Sequence, residues 1–309
     1  MLVAFVLGFL IPVVIVFVRE NMNTTVRGRK DLKNMNVPFL GEIPYYVSRK
    51  NRPTLEQRIR FWKKPKEVRQ MVVKAGKRDI VNEAFRVLRT NFEFTIGTHP
   101  EQNVIVFTSF NLGSGKSHLA ANMAMSLAIK KKKVLLIDGD LRHGSTSMVI
   151  NSPGEGLSDY LNGRVADIHD ILYKGEENGL VKYFDVIPIG TIPPNPTELL
   201  FTPLLEQMIK TMRQEYDYVF IDCPPIEVVA DTPIYEQFAD RTIFVVRSGL
   251  MERSMLPEID ALYKEKKFKN MSLILNGTKA RGGRYGSHYG YGYGYGYNYN
   301  KEKNGGAKS

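Results

Sequence analysis

The stretch Val104-Ile-Val-Phe-Thr-Ser-Phe-Asn-Leu-Gly-Ser-Gly-Lys-Ser-His-Leu119 limits the possible folds more than any other part of the chain. Its apolar start, Val104 to Phe107, has the composition of a strand buried on both faces. A Gly/Ser loop follows, and Leu119 to Ala128 has helix-forming composition. A strand, a glycine loop closing on Gly115-Lys116-Ser117 and a helix make the phosphate cradle of P-loop nucleotidases. Glycines let backbone N–H groups face phosphates, Lys116 would reach the β/γ-phosphates, and Ser117 would offer its hydroxyl to Mg²⁺. The usual spacing is G-x-x-x-x-G-K-[ST], and its first glycine is replaced here by Phe110. The plainer reading of the loop is a surface turn before a helix, so the choice falls to the rest of the chain.

Two further apolar runs end in carboxylates. Val134 to Ile137 leads into Asp138-Gly-Asp140-Leu-Arg142, and Tyr218-Val-Phe-Ile leads into Asp222, with Pro224 and Pro225 ending the strand. In an open α/β sheet ligands sit beyond the carboxyl ends of the strands, so all three aspartates are expected where the first strand delivers its phosphates. Tyr183–Ile189, Arg241–Arg247 and Met271–Asn276 read as additional strands. Ile80–Phe94 and Met255–Lys266 read as helices, and Leu157–Gly163 and Asp167–Leu172 as shorter ones. The loop Gly190-Thr-Ile-Pro-Pro-Asn-Pro-Thr-Glu-Leu-Leu200 is proline-rich and caps a helix reaching about Gln214. The expected fold is α/β, a P-loop NTPase fold with a mainly parallel sheet flanked by helices on both faces.

A single transmembrane helix is expected before that fold. Leu2 to Val18 is apolar apart from Gly8 and Pro12 and would span about 25 Å as a helix. No basic residue precedes the run and Arg19-Glu20 follow at once, unlike a cleaved signal peptide. Arg19, Arg27, Arg29, Lys30 and Lys33 lie beyond it, so the C-terminal side is expected to be cytoplasmic. The net charge of +11 suits an anionic partner, and basic residues beside the span favour membrane over nucleic acid. The one cysteine, Cys223, rules out an internal disulfide framework and reads as a buried small residue. The expected organisation is a span at 1–19, a basic juxtamembrane linker at 20–78, a catalytic domain at 79–281 and a flexible tail at 282–309. That tail alternates glycine with tyrosine at Tyr285, Tyr289, Tyr291, Tyr293, Tyr295, Tyr297 and Tyr299. No periodicity there could pack a core, and the phenols are accessible phosphoryl acceptors or a weakly adhesive linker.

Phosphoryl transfer needs a cradle, a cation, a metal site and a group that accepts the nucleophile's proton. The cradle runs over Asn111, Leu112, Gly113, Ser114, Gly115, Lys116 and Ser117 into His118, with Arg142 and Asn276 as further nucleotide contacts. Ser117, Asp140 and Asp222 are the candidate Mg²⁺ residues and Lys116, Asp138 and Asp140 the catalytic ones. Asp138 is assigned as base and Asp140 as metal support, with the two roles exchangeable.

These motifs, in this order, resemble those of the bacterial protein-tyrosine kinases of capsular and exopolysaccharide export, cytoplasmic end of the membrane co-polymerase type. The resemblance rests on Gly113–Ser117, Leu136–Arg142, Phe220–Asp222, the Gly190–Leu200 segment, Leu40-Gly-Glu-Ile-Pro44 and the C-terminal tyrosines. It also takes in Glu83-x-x-Arg86-x-x-Arg89, which in the family builds the subunit interface of a ring. It implies ATP and Mg²⁺ as cofactors, autophosphorylation of tail tyrosines in trans within a homo-oligomeric ring, a polysaccharide polymerisation and export machinery as partner, and a cognate phosphatase. Partitioning-type ATPases carry an extra lysine five positions before the loop lysine, where this chain has Asn111. The competing reading is a membrane-tethered ATPase switch of that type without kinase activity.

Overall fold

The computed structural model describes residues 10, 14, 23–45, 71–97, 99, 101–227 and 231–279. The expected span at 1–19, apart from Leu10 and Val14, much of the basic linker and all seven tail tyrosines lie outside them. Among the described residues no helix is long and apolar enough to cross a membrane.

The described residues form a seven-stranded sheet. Its strands are β1 (Phe39–Pro44), β2 (Val104–Ser109), β3 (Val134–Asp138), β4 (Phe184–Ile187), β5 (Tyr218–Asp222), β6 (Arg241–Arg247) and β7 (Ser272–Thr278). The order is β1-β7-β6-β2-β5-β3-β4, and every pairing is parallel. Helices α1 (Ile80–Ile96), α2 (Lys116–Ala128), α3 (Leu157–Leu161), α4 (Pro196–Leu199), α5 (Pro203–Glu215), α6 (Asp231–Glu236) and α7 (Leu256–Lys264) connect and cover them. β2, β3 and β5 are buried at every residue, which is why they read as continuous apolar runs rather than as alternation.

The alternation is visible only as two cores. On one face Val104, Val106, Leu135, Ile137, Val219 and Ile221 pack with Leu205, Met208, Ile209 and Met212 of α5. On the other, Phe92 of α1 meets Tyr218 and Phe220 at ring separations of 5.6 and 5.8 Å, and Phe107 lies 4.9 Å from Phe220. α1 starts where the Asp79 carboxylate caps the Val81 and Asn82 amides. Its buried side runs through Val81, Ala84, Phe85, Leu88, Phe92 and Ile96, and Ile80 is exposed.

The segment Val37–Pro44 supplies the edge strand β1. It lacks the clean two-residue alternation that marks a strand in a sequence. Its partners are β7, along Phe39 to Pro44, and α1, from which Asn91 donates to the Leu40 carbonyl at 2.6 Å. Chain order departs in opposite directions from β2. β3 and β4 lie on one side beyond β5, and β6, β7 and β1 on the other. That reversal opens a crevice at the carboxyl end of β2, where ligands of such sheets bind.

Phe92→Ala should lower unfolding free energy by about 3–5 kcal/mol, through lost burial and a cavity against Tyr218 and Phe220. Urea titration followed by circular dichroism measures this, and a loss below about 1 kcal/mol would contradict the packing described.

Candidate nucleotide and phosphoryl-transfer site

The loop from Phe110 to Gly115 turns the chain from β2 into α2. Gly113 and Gly115 both have left-handed backbones, with φ of 76° and 85°. At Gly115 the need for glycine is double, because a Cβ there would run into the Asn276 amide and crowd the Arg247 guanidinium. Asn276 donates to the Ser114 carbonyl at 2.9 Å and Ser114 donates its hydroxyl to the Asn111 carbonyl at 2.7 Å, so β7 fixes the loop from the side. Asn111 itself donates to Glu227 at 2.9 Å, a partner on the loop after β5 that no sequence motif marked. Leu112 is exposed and Ser117 half-buried at the start of α2. Phe110, which breaks the usual loop spacing, is buried in the core under β6, β7 and α7.

Register sets the carboxylates. Asp138 pairs with Asp222 across β3 and β5, and Asp222 also stands beside Phe107 of β2. Lys116 turns back from α2 so that its ammonium lies 3.5 Å from Asp222 and 3.7 Å from Asp140. Burial alone would depress the Lys116 pKa, but Asp222, then Asp140 and Asp138, outweigh it and hold the amine above its ordinary value. Lys116 is therefore a fixed cation.

Each aspartate has its own second partner. Thr146 donates to Asp222 Oδ2 at 2.6 Å. Ser147 donates both its amide and its hydroxyl to Asp138 Oδ2, each at 2.7 Å. His143 Nδ1 lies 3.3 Å from Asp140. Burial, with Asp222 beside it, pushes Asp138 up to about 7 against the pull of the Ser147 bonds. Thr146 and Ser147, the hydrogen-bond donors to these carboxylates, carry no motif in the sequence. Their only sequence signal is a Ser-Thr-Ser cluster shortly after the Asp-x-Asp pair.

Asp222 Oδ1 is buried and makes no hydrogen bond, though the Lys116 ammonium faces it at 3.5 Å. A carboxylate oxygen with unused lone pairs beside the start of α2 fits a divalent cation held jointly by Asp222, Ser117 and a phosphate. Among the described residues no group of three or more His, Cys, Asp or Glu could hold a metal ion.

Other expected residues are placed differently. Burial, reinforced by the Arg247 charge, pushes His118 down to about 4, so it is neutral beneath the loop and adds no cation. Arg142, expected on the nucleotide, is engaged with Thr197 and Asp231. Of the Glu83, Arg86 and Arg89 ladder, Glu83 and Arg86 form a surface ion pair, and Arg86 also donates to the Lys77 carbonyl at 2.8 Å. Arg89 does not share that surface, because it donates to the Ser126 carbonyl of α2 at 2.6 Å. Burial and the Asp222 charge raise the Cys223 thiol well above its usual value, which leaves it inert.

A family model described as an AAA domain matches residues 102–251, the span from β2 through β6. The chain is 33% identical over 208 residues to tyrosine-protein kinase CpsD of Streptococcus agalactiae, a match covering 67% of this chain and 87% of that one. It is 32% identical over 248 residues to tyrosine-protein kinase wzc of Salmonella typhimurium, covering 78% of this chain and 33% of that protein. The chain spans about a third of the length of several longer relatives of this kind. Among solved structures, the kinase domain of Escherichia coli tyrosine kinase ETK superposes with a TM-score of 0.70 at 28% identity, covering 88% of this chain and 100% of that one.

The raised carboxyl of Asp138 makes stability pH-dependent. Between its free value of 3.8 and about 7 the folded state binds more proton than the unfolded state, so this group's stabilisation is complete below about pH 4 and is lost as pH rises to about 7. In nucleotide-free and Mg²⁺-free solution, the advantage of Asp138→Asn over wild type should grow by about 1–3 kcal/mol between pH 5 and pH 8. Urea midpoints across that range report it; a pH-independent difference would show that Asp138 titrates normally.

Proposed function

Because the chain belongs to the bacterial protein-tyrosine kinases, we propose that it is an ATP-dependent protein-tyrosine autokinase whose acceptors are the tail residues Tyr285, Tyr289, Tyr291, Tyr293, Tyr295, Tyr297 and Tyr299. The observation that carries this reading is the division of labour within one buried cluster. Lys116 is held as a permanent cation against Asp222 and Asp140, while Asp138 on the neighbouring strand is pushed up to about 7, where a carboxylate can take and return a proton.

The amides of Asn111 to Ser117 would bind the β- and γ-phosphates, with Lys116 spanning them. Ser117, Asp222 and Asp140 would hold Mg²⁺, which when bound neutralises charge developing on the phosphates. Asp138 would accept the phenol proton as the tyrosine oxygen bonds to phosphorus and the bond to the ADP oxygen breaks, its electron pair leaving with ADP. Ser147, donating twice to Asp138, would hold that carboxylate in place during the transfer.

An extended tail from Gly282 to Tyr299 reaches about 60 Å, enough to enter a neighbour's site in a ring. The ring contact is assigned to Glu83 and Arg86, with Arg89 fixing α1 to α2 behind them. Residues 1–19 are assigned as a single span that holds the domain at the cytoplasmic face of the membrane, beside polysaccharide polymerisation and export proteins and a cognate phosphatase. Each phosphotyrosine adds about −1.5 to −2 charges, so several on one tail repel other tails and loosen the ring.

Purified protein given Mg²⁺ and ATP should acquire phosphate on the tail tyrosines, mapped by mass spectrometry. Lys116→Met and Asp138→Asn should each lower the rate by about a hundredfold or more. Unmodified tail tyrosines in wild type, matching Lys116→Met while ADP accumulates, would sink the kinase reading and favour the ATPase switch.

A further inference from the structure

Arg142 leaves the loop after β3 only two residues beyond Asp140. Its Nη2 donates to Thr197 Oγ1 at 2.8 Å, and that hydroxyl in turn donates to Asp231 Oδ1 at 2.7 Å. Arg142 Nε lies 3.5 Å from Asp231 Oδ2. Neither Arg142 Nε nor Asp231 Oδ2 has a closer hydrogen-bond partner, and Asp231 is fully buried. Three chain segments therefore close on one hydroxyl. They are the loop after β3 that carries Asp140 and Arg142, the first turn of α4 at the end of the proline-rich loop, and the N-terminal end of α6 beyond β5.

The direction of the chemistry decides what such a brace can do. The phosphates enter from β2, and β5, β3 and β4 follow in that order across the sheet. An incoming phenol must approach in line, from the side opposite the leaving oxygen. On the side of the site away from β2, the segment available to form a wall for that approach is the loop after β4. That wall, Ile192 to Phe201, presents two exposed apolar side chains, Ile192 and Phe201.

We propose that the Arg142–Thr197–Asp231 brace positions the acceptor side of the site, fixing the distance between the β3 carboxylates and the wall against which a substrate tyrosine lies. These are positioning residues, and the inference rests on the kinase reading above. Thr197 is its centre because its one hydroxyl accepts from the arginine and donates to the aspartate, so neither partner can replace it. A buried carboxylate left with a misaligned cation would pull the loop after β3 away from the wall. The nucleotide cradle, held by Asn276 and Gly115 on the far side of β2, should feel little of this.

The full chain is assayed with Mg²⁺, ATP and a soluble tyrosine-containing acidic copolymer, varying each substrate in turn. Thr197→Val should raise KM for the copolymer, or lower kcat at saturating ATP, by about tenfold while KM for ATP moves less than about twofold. Thr197→Ser, which restores the hydroxyl, should recover most of the loss. Asp231→Asn is the second variant, and thermal melts of all three confirm folding. Equal shifts in both KM values, no change in Thr197→Val, or no recovery in Thr197→Ser would each overturn the brace while transfer by wild type leaves the kinase reading standing. A wild-type protein that hydrolyses ATP and transfers no phosphate would overturn both.

Discussion

A buried ammonium between carboxylates governs the site. Lys116 faces Asp222 and Asp140 at 3.5 and 3.7 Å, with Asp138 paired to Asp222 through the strand register. Three carboxyl groups and one amine in a desolvated pocket do not balance at full ionisation. The arrangement holds because Asp138 can keep its proton and because Thr146 and Ser147 donate into the cluster. The surrounding fold serves this balance. Parallel strands bring the aspartates to one end, and the left-handed turn at Gly115 aims the lysine back toward them.

The same geometry explains how tightly loop and sheet are coupled. The cradle is tied to β7 by Asn276, to the loop after β5 through Asn111 and Glu227, and to the core by Phe110. A glycine loop is soft by itself, and here side-chain bonds from other strands hold it open. On the other side of β5, Arg142 and Asp231 do the corresponding work for the loop after β3. The site is thus two half-cradles that share Asp222.

Much of this was legible in the sequence, and the limits have physical causes. The apolar runs at Val104, Val134 and Tyr218 announced buried parallel strands, and their terminal aspartates announced the site. Motif spacing could name Lys116, Asp138, Asp140 and Asp222 because each lies within a strand or turn of its motif. It could not find Thr146, Thr197, Asp231 or Glu227, whose partners are set by tertiary closure across 34 to 116 residues. Three-residue spacing gives a helix stripe without saying where a neighbouring helix begins, so the bond from Arg89 to the Ser126 carbonyl of α2 has no sequence signal. β1 escaped because an edge strand needs no continuous apolar run, and this one carries Gly41, Glu42 and two prolines nearby.

That edge strand has a consequence for solubility. β1 departs from regular register near both ends, and Pro44 closes it, so it presents a poor template to any further strand. The regular row of amide and carbonyl groups on β7 is spent on β1 itself. A chain trimmed to begin at the first strong motif would keep every residue of the site and lose this blunt cover. The bare flank of β7 would then invite sheet-to-sheet association between molecules, and the resulting assembly would have the size of an oligomer with none of its order.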